Sequence, residues 1–289
     1  MKLRYLIAIC IAFSGLYTAT AFAQSDAIKS AREEVITSIE KLNALDSVTL
    51  KPEERAELEL SLKRVALGKI LTLSTLETSE LRDKFIAIEV PEGDFSDLQI
   101  LIADELKASI AVFAAQEKKT VAAKSITEIQ TIATEIKTWR ETKYNPEIRK
   151  TIDFMLVFQN GAVLKTAEDR LLKIEVNLEK TNATKSKFAE SLLEEAREKI
   201  LEAKDLHDNA LQLLLAHLPK KAVTATTIEI EIPVIEEDVS TTTEDGTVVE
   251  LPEPEIEKPI LTIRELVESS IRNIKDAYKN FIALSEFLK

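Results

Sequence analysis

"LLKIEVNLEKTNATKSKFAESLLEEAREKI", Leu171 to Ile200, holds the choice on which the fold turns. Before it, Leu164, Ala167, Leu171, Ile174 and Leu178 recur at steps of three and four, one apolar stripe along a helix. The stripe resumes at Ala189, Leu192, Ala196, Ile200, Ala203, Leu206, Ala210 and Leu213. Between the two, Thr181 to Ser186 collects Thr, Asn and Ser, whose side chains compete with the helical backbone for hydrogen bonds. Two readings stand: a helical hairpin turning at Thr181–Ser186, or one helix of about seventy residues, a length unusual in a globular domain.

The same periodicity runs outward in both directions. Ser25-Asp26 caps a first helix to about Asn43, with Ile28, Val35, Ile39 and Leu42 on one side. Pro52-Glu53-Glu54 suits the first turn of a second helix, where proline has no amide hydrogen to lose. Leu58, Leu62, Val65 and Leu73 follow, and a break or kink is expected near Thr75 to Ser79. "VPEGDFSDL", Val90 to Leu98, reads as a turn in which Asp94 caps a third helix carrying Leu98, Leu101, Ile102, Leu106, Ile110 and Phe113. A fourth helix is expected around Val121 to Glu141, with Ile126, Ile129, Ile132 or Ala133, and Ile136. Asn145-Pro146-Glu147 reads as another start: a capping side chain, a proline, then an acid favoured by the helix dipole. Only five glycines and one tryptophan interrupt a composition rich in Ala, Leu, Ile, Glu and Lys. The expected fold class is all-α: a bundle of long antiparallel amphipathic helices, with a short acidic β-hairpin or disordered insertion before the last helix.

That insertion, residues 221–259, separates the bundle at 24–220 from a C-terminal amphipathic helix at 260–289. Ile228, Ile230 and Ile232 alternate with Glu229 and Glu231, a strand-like pattern that Val249 and Leu251 could pair. Pro233, Pro252, Pro254 and Pro259 restrict such pairing, so a disordered tether and a small hairpin both remain open. Ile228 to Lys258 holds eleven acidic residues and one Lys. With the whole chain at −12, the acidity is concentrated there, which argues against binding nucleic acid or anionic lipid through a basic face.

After the insertion, Thr262-Ile-Arg-Glu265 is a capping-box signature. Ile263, Val267, Ile274, Phe281, Leu284 and Leu288 then form a continuous stripe, which must lie against the chain's own bundle or against a partner. These six residues are the candidate interaction surface.

The chain opens with Lys2 and Arg4, an apolar core from Leu6 to Leu16, and Ala21-Phe22-Ala23. This is the pattern of a secretory signal peptide, residues 1–23, with an apolar core too short to remain as a membrane span. Ile9 before Cys10 departs from a lipobox, where a small residue is expected. Beyond that cysteine the chain has none, so it must be held by packing, and thiol chemistry or a cysteine-ligated zinc has no ligands. An exported, soluble product is expected, periplasmic, cell-surface or extracellular.

The stretch "TAEDRLLKIEVNLEKTNATKSKFAESLLEEAREKILEAK", Thr166 to Lys204, resembles a helical-hairpin segment in uncharacterised secreted bacterial proteins. There an Arg-Leu-x-x-Ile helix, here Arg170 to Ile174, pairs with an Ala-rich one across a short polar turn; the Gly-Asp turn usual in that group is missing from this chain. The resemblance implies the hairpin and the extracytoplasmic setting, and no activity.

Motifs that carry chemistry are few. His207 and His217 lie ten residues apart, about 80° around a helix and nearly three turns along it, so they cannot share one ion. Asp205, Asp208 and Glu202 are near, yet no Glu-x-x-His or His-x-x-x-His occurs, and solvated histidines are expected. Neither a Gly-x-Ser-x-Gly elbow nor a glycine-rich phosphate loop is present. Glu194-Glu195 and Glu236-Glu237 read as ordinary surface pairs, and the acidic run lacks an EF-hand pattern. Trp139, Tyr144, Phe154 and Phe158 read as core or a helix-end anchor in preference to a pocket lining. No catalytic residue, metal or cofactor is expected. The expected function is that of a non-enzymatic structural spacer or protein-interaction module in the cell envelope, with a protein partner or self-association through helices. The alternative is an extracytoplasmic carrier for an apolar ligand or a holdase-like chaperone.

Overall fold

The computed structural model describes residues 25–180, 186–216 and 261–287. Residues 1–24, which include the expected signal peptide, residues 181–185 where a turn was expected, the insertion at 221–259, His217 and Leu288 lie outside the described residues. The order is α1 (Asp26–Ala44), a 3-10 turn (Leu45–Ser47), α2 (Pro52–Ile86), α3 (Asp94–Ala122), α4 (Ile126–Trp139), a π-helical turn (Arg140–Tyr144), α5 (Asn145–Lys180), α6 (Lys187–Leu215) and α7 (Ile263–Phe287). Among the described residues there is no strand. The chain is an all-α bundle.

Several boundaries follow from local chemistry. Ser25 Oγ accepts from the Ile28 amide at the start of α1, and Pro52 opens α2. Before α3, Gly93 takes the cap position that Asp94 was expected to hold. Its φ of 102° is a conformation side chains disfavour, and Ser96 Oγ accepts from its amide at 3.2 Å. At the start of α7 the capping box closes as expected: Thr262 N donates to Glu265 Oε2 at 2.8 Å, and Glu265 N to Thr262 Oγ1 at 3.3 Å. The Thr262 amide hydrogen bond holds the Glu265 carboxyl below its ordinary value.

Three expectations are corrected. The helix expected from Val121 begins at Ile126, because Ala123 is extended and Ser125 Oγ accepts from Glu128 N at 3.2 Å. Thr75 to Ser79 does not interrupt α2. Thr78 returns its hydroxyl proton to Ser74 O at 2.7 Å inside the helix, so it does not compete for the backbone. The buried face of α2 is also offset, with Leu58 and Val65 exposed and Ala66, Leu67, Ile70 and Leu71 inside. Helix α5 does begin at Asn145, as Asn145-Pro146-Glu147 indicates, but it emerges from a π turn and not from a loop. Asn145 has helical backbone, and its amide bonds Arg140 O five residues back. This wider turn makes room for the Pro146 ring, so α4 runs through the π turn into α5.

The pairing is antiparallel through α1, α2 and α3, as the ion pair of Arg32 with Glu77 and the Thr72–Glu117 hydrogen bond register. Helix α3 is antiparallel to α5 as well, with Ser109 bonded to Glu147 and Lys150 to Glu105. Helices α5 and α6 form the antiparallel hairpin: Glu168 faces Lys204 and Glu175 faces Arg197. Helix α7 lies antiparallel to α6, with Phe188 against Phe287 and Ser270 against Ala203.

Two cores lie in series along α5. The first gathers α1 to α4, the start of α5, the end of α6 and the start of α7. The second is a three-helix bundle of Leu164 to Leu178, Ala189 to Ala203 and Ile274 to Leu284. Ile148, Thr151, Phe154, Met155 and Val157 are buried in the first half of α5, and Leu164, Ala167, Leu171, Ile174 and Leu178 in the second. At 100° per residue the centres of the two buried sets lie about 170° apart around the helix. Ala189, Ala196, Ala203 and Ala210, spaced by seven, are fully buried and let α7 approach α6 closely.

Ile274 is 3% exposed and Ile282, on the same helix, 58%. Ile274→Ala should therefore cost about 3 kcal/mol in urea unfolding, and Ile282→Ala less than about 0.5 kcal/mol. Tyr144 Oη lies 2.7 Å from Thr78 Oγ1, whose own proton goes to Ser74 O, so tyrosine is the donor. Tyr144→Phe should lower unfolding stability by about 1 kcal/mol in the same assay.

Candidate functional site

Of the two covers left open for this stripe, the chain's own bundle or a partner, the structure shows the first. Ile263, Val267, Ile274, Phe281 and Leu284 are all buried, the first two in the first core and the others between α5 and α6. As a surface for another molecule these residues are ruled out while α7 is docked, because the hairpin's own stripe already satisfies them.

The aromatic residues are core. Phe154 is fully buried, T-shaped against Phe85 at 5.0 Å and stacked on Phe158 at 4.6 Å. Trp139 stacks on Tyr144 at 5.6 Å across the π turn, and Phe113 meets both edge-on. Arg140 is buried beside them, its guanidinium 5.5 Å from the Tyr144 ring centre. Near it, burial raises the Glu77 carboxyl above its ordinary value, although Arg32, bonded at 3.0 Å, and Arg140 pull the other way.

A second polar group bridges α3 and α5. Ser109 Oγ donates to Glu147 Oε2 at 2.7 Å, and Lys150 reaches Glu105 at 3.1 Å. Burial raises the Glu147 carboxyl, and neighbouring Glu105 raises it further. The two carboxylates are engaged by Ser109 and Lys150 respectively, as packing partners of the interface.

The third group was missed in the sequence. Asn160 is 2% exposed and Ser270 fully buried. Ser270 Oγ donates to Ala203 O at 2.8 Å, and Asn160 Nδ2 donates to Ser270 Oγ at 3.0 Å. The same amide nitrogen lies 3.4 Å from His207 Nδ1. Gly161 makes this possible: a Cβ there would stand 3.0 Å from His207 Cε1. His207 is thus half-buried at a helix junction, where a solvated ring was expected, and burial lowers its pKa against the opposing pull of Asp208 and Glu168. Two signals pointed here: Asn160-Gly161 inside an apolar helix, and the step from Val267 to Ile274 that leaves Ser270 in the stripe.

Elsewhere, Lys119, Ala123, Ser125 and Ile132 line a shallow, open depression at the α3–α4 corner. Glu202 is bonded to Lys199, and Glu194 to Arg197. Among the described residues no group of three or more His, Cys, Asp or Glu side chains is placed to hold a metal ion. Among them, too, no helix is long and apolar enough to cross a membrane. Glu236 and Glu237 lie outside the described residues.

A carboxyl raised on folding favours the folded state while protonated, and this contribution is lost as pH climbs through the raised value. Glu147→Gln keeps an acceptor for Ser109 and removes the ionisation. Thermal unfolding of this variant should match wild type near pH 4 and exceed it near pH 7, the gap opening as pH rises. No protein family, curated protein or solved structure matches the chain.

Proposed function

We propose that this chain is an exported, non-enzymatic helical protein that serves as a structural spacer or protein-interaction module in the cell envelope. The observation that carries this reading is the serial arrangement of two cores on one helix. Helix α5, 36 residues and about 54 Å long, is braced along both halves, a form suited to holding two points apart. The polar side chains best placed for acid–base work, Glu77, Glu147 and His207, are each engaged by a packing partner. The signal-peptide pattern supports export, and the acidic segment at Ile228–Lys258 adds a region of high charge beside the bundle's sequence.

With the α7 stripe enclosed, a protein contact has to use outward apolar residues such as Leu172, Phe188 and Ile282, which are 57–58% exposed. A photo-crosslinking residue placed at each of these three positions in intact cells should yield one discrete crosslinked product, and the chain should be recovered outside the cytoplasm beginning at Gln24. Retention in the cytoplasm with an intact N-terminus would defeat the export reading. A monomeric protein with no crosslink from any position would defeat the interaction reading.

A carrier or holdase role draws on one specific feature, the apolar groove between α5 and α6 that α7 covers. Native mass spectrometry of the gently purified protein should then find bound lipid or client, and its absence together with no uptake of an apolar dye counts against this role.

A further inference from the structure

Helix α7 packs into both cores, with Ile263, Leu266 and Val267 in the first and Ile274, Ala277, Phe281 and Leu284 in the second. It lies chiefly against α6 and α5. Its apolar contacts are interrupted once, at the layer of Asn160, His207 and Ser270, where the first core (Val157, Ala210, Val267) gives way to the second (Leu164, Ala203, Ile274).

We propose that this layer is an acid-sensitive latch holding α7 on the α5–α6 hairpin. Ser270 spends its single proton on Ala203 O, so it needs a donor from Asn160, and this orients the amide with Nδ2 toward Ser270 and His207. His207 Nδ1 then serves as an acceptor, which only the neutral ring can do. Protonation sets N–H against N–H. Turning the amide over would let Oδ1 accept from the ring, but Ser270 would then have to abandon either Asn160 or Ala203. No arrangement of the three side chains keeps every bond once the proton is added. Asn160 Oδ1 is already buried with no donor from the described residues, leaving the layer without a spare partner.

The charged groups acting on the ring are Glu168 on α5, itself 3.9 Å from Lys204, and Asp208 on α6; α7 contributes the uncharged Ser270. Both carboxylates favour imidazolium and burial opposes it, with burial the stronger. Undocking removes Ser270, which frees the Asn160 amide to turn Oδ1 toward a protonated ring and moves His207 up toward the ordinary ~6.5. Docking is therefore at full strength above that value and weakens as pH falls through the lower, docked value. This inference holds whether or not the chain is exported, and its failure would leave the spacer reading untouched.

Hydrogen exchange, corrected for intrinsic rates, tests it on the full chain at pH 7.5, 6.5 and 5.5. Opening of 263–287 should increase several-fold, with a ceiling of about tenfold, relative to α1–α4 between the two extremes. In His207→Gln, whose side chain accepts a hydrogen bond but does not titrate, the ratio should stay constant. A ratio constant in wild type, or an unchanged pH response in His207→Gln, overturns the latch. If that variant does not fold, an NMR titration of wild type decides. His207 titrating below the ordinary ~6.5 in step with α7 amides supports the latch; an ordinary midpoint, or α7 amides that do not move with it, overturns it.

Discussion

Apolar side chains on α5 have to be covered on one face near Ile148 and on a nearly opposite face near Leu171, and the rest of the molecule is arranged to do this. Helices α2 and α3 cover the first face; α6 and α7 cover the second. Because a helix is stiff along its backbone hydrogen bonds, a rotation of the buried face ties two cores into one rod in place of two loosely joined domains. The rotation takes place around Val157 and Asn160, and there the structure puts its buried polar layer. An apolar side chain at such a crossing could slide by a turn with little loss. Asn160, Ser270 and the Ala203 carbonyl permit one alignment, the kind of registry that a single buried polar contact imposes on helix pairs.

Alanine does complementary work on the other side of α7. At Ala189, Ala196, Ala203 and Ala210 a larger side chain would push the helices apart and carry Ser270 out of reach of Ala203 O. The small residues and the polar bridge therefore depend on one another. In the first core the equivalent fixing is aromatic, with Trp139, Tyr144 and Phe113 packed around the π turn that admits Pro146. The irregular turn and the proline are two parts of one solution, since the proline ring needs the wider turn and the wider turn brings Tyr144 to Thr78.

Much of this was legible in the residue pattern. Ser25, Pro52 and the Thr262–Glu265 box mark helix starts because capping is a matter of four consecutive residues. The stripes at Leu164–Leu178 and Ile263–Leu284 are buried as their spacing required. The errors arose where a distant partner cancelled a local preference. Thr78 looked disruptive until Ser74 O and Tyr144 absorbed its hydroxyl. Asn145-Pro146 does mark the start of α5, but a π turn and not a capping side chain leads into it.

Periodicity by itself determined that the chain would be helical, which faces would seek cover, and where several helices begin, since each depends on residues within about two turns of one another. Which stripe covers which was decided only in three dimensions. Nothing local distinguishes a stripe waiting for a partner from one that folds back, and Ile263 to Leu284 carry the same spacing either way. The docking of α7 against Ala203, and the meeting of Asn160, His207 and Ser270, join residues separated by 47 to 110 positions. Contacts of that range depend on helix orientation and closeness of approach, quantities that no short window of sequence contains.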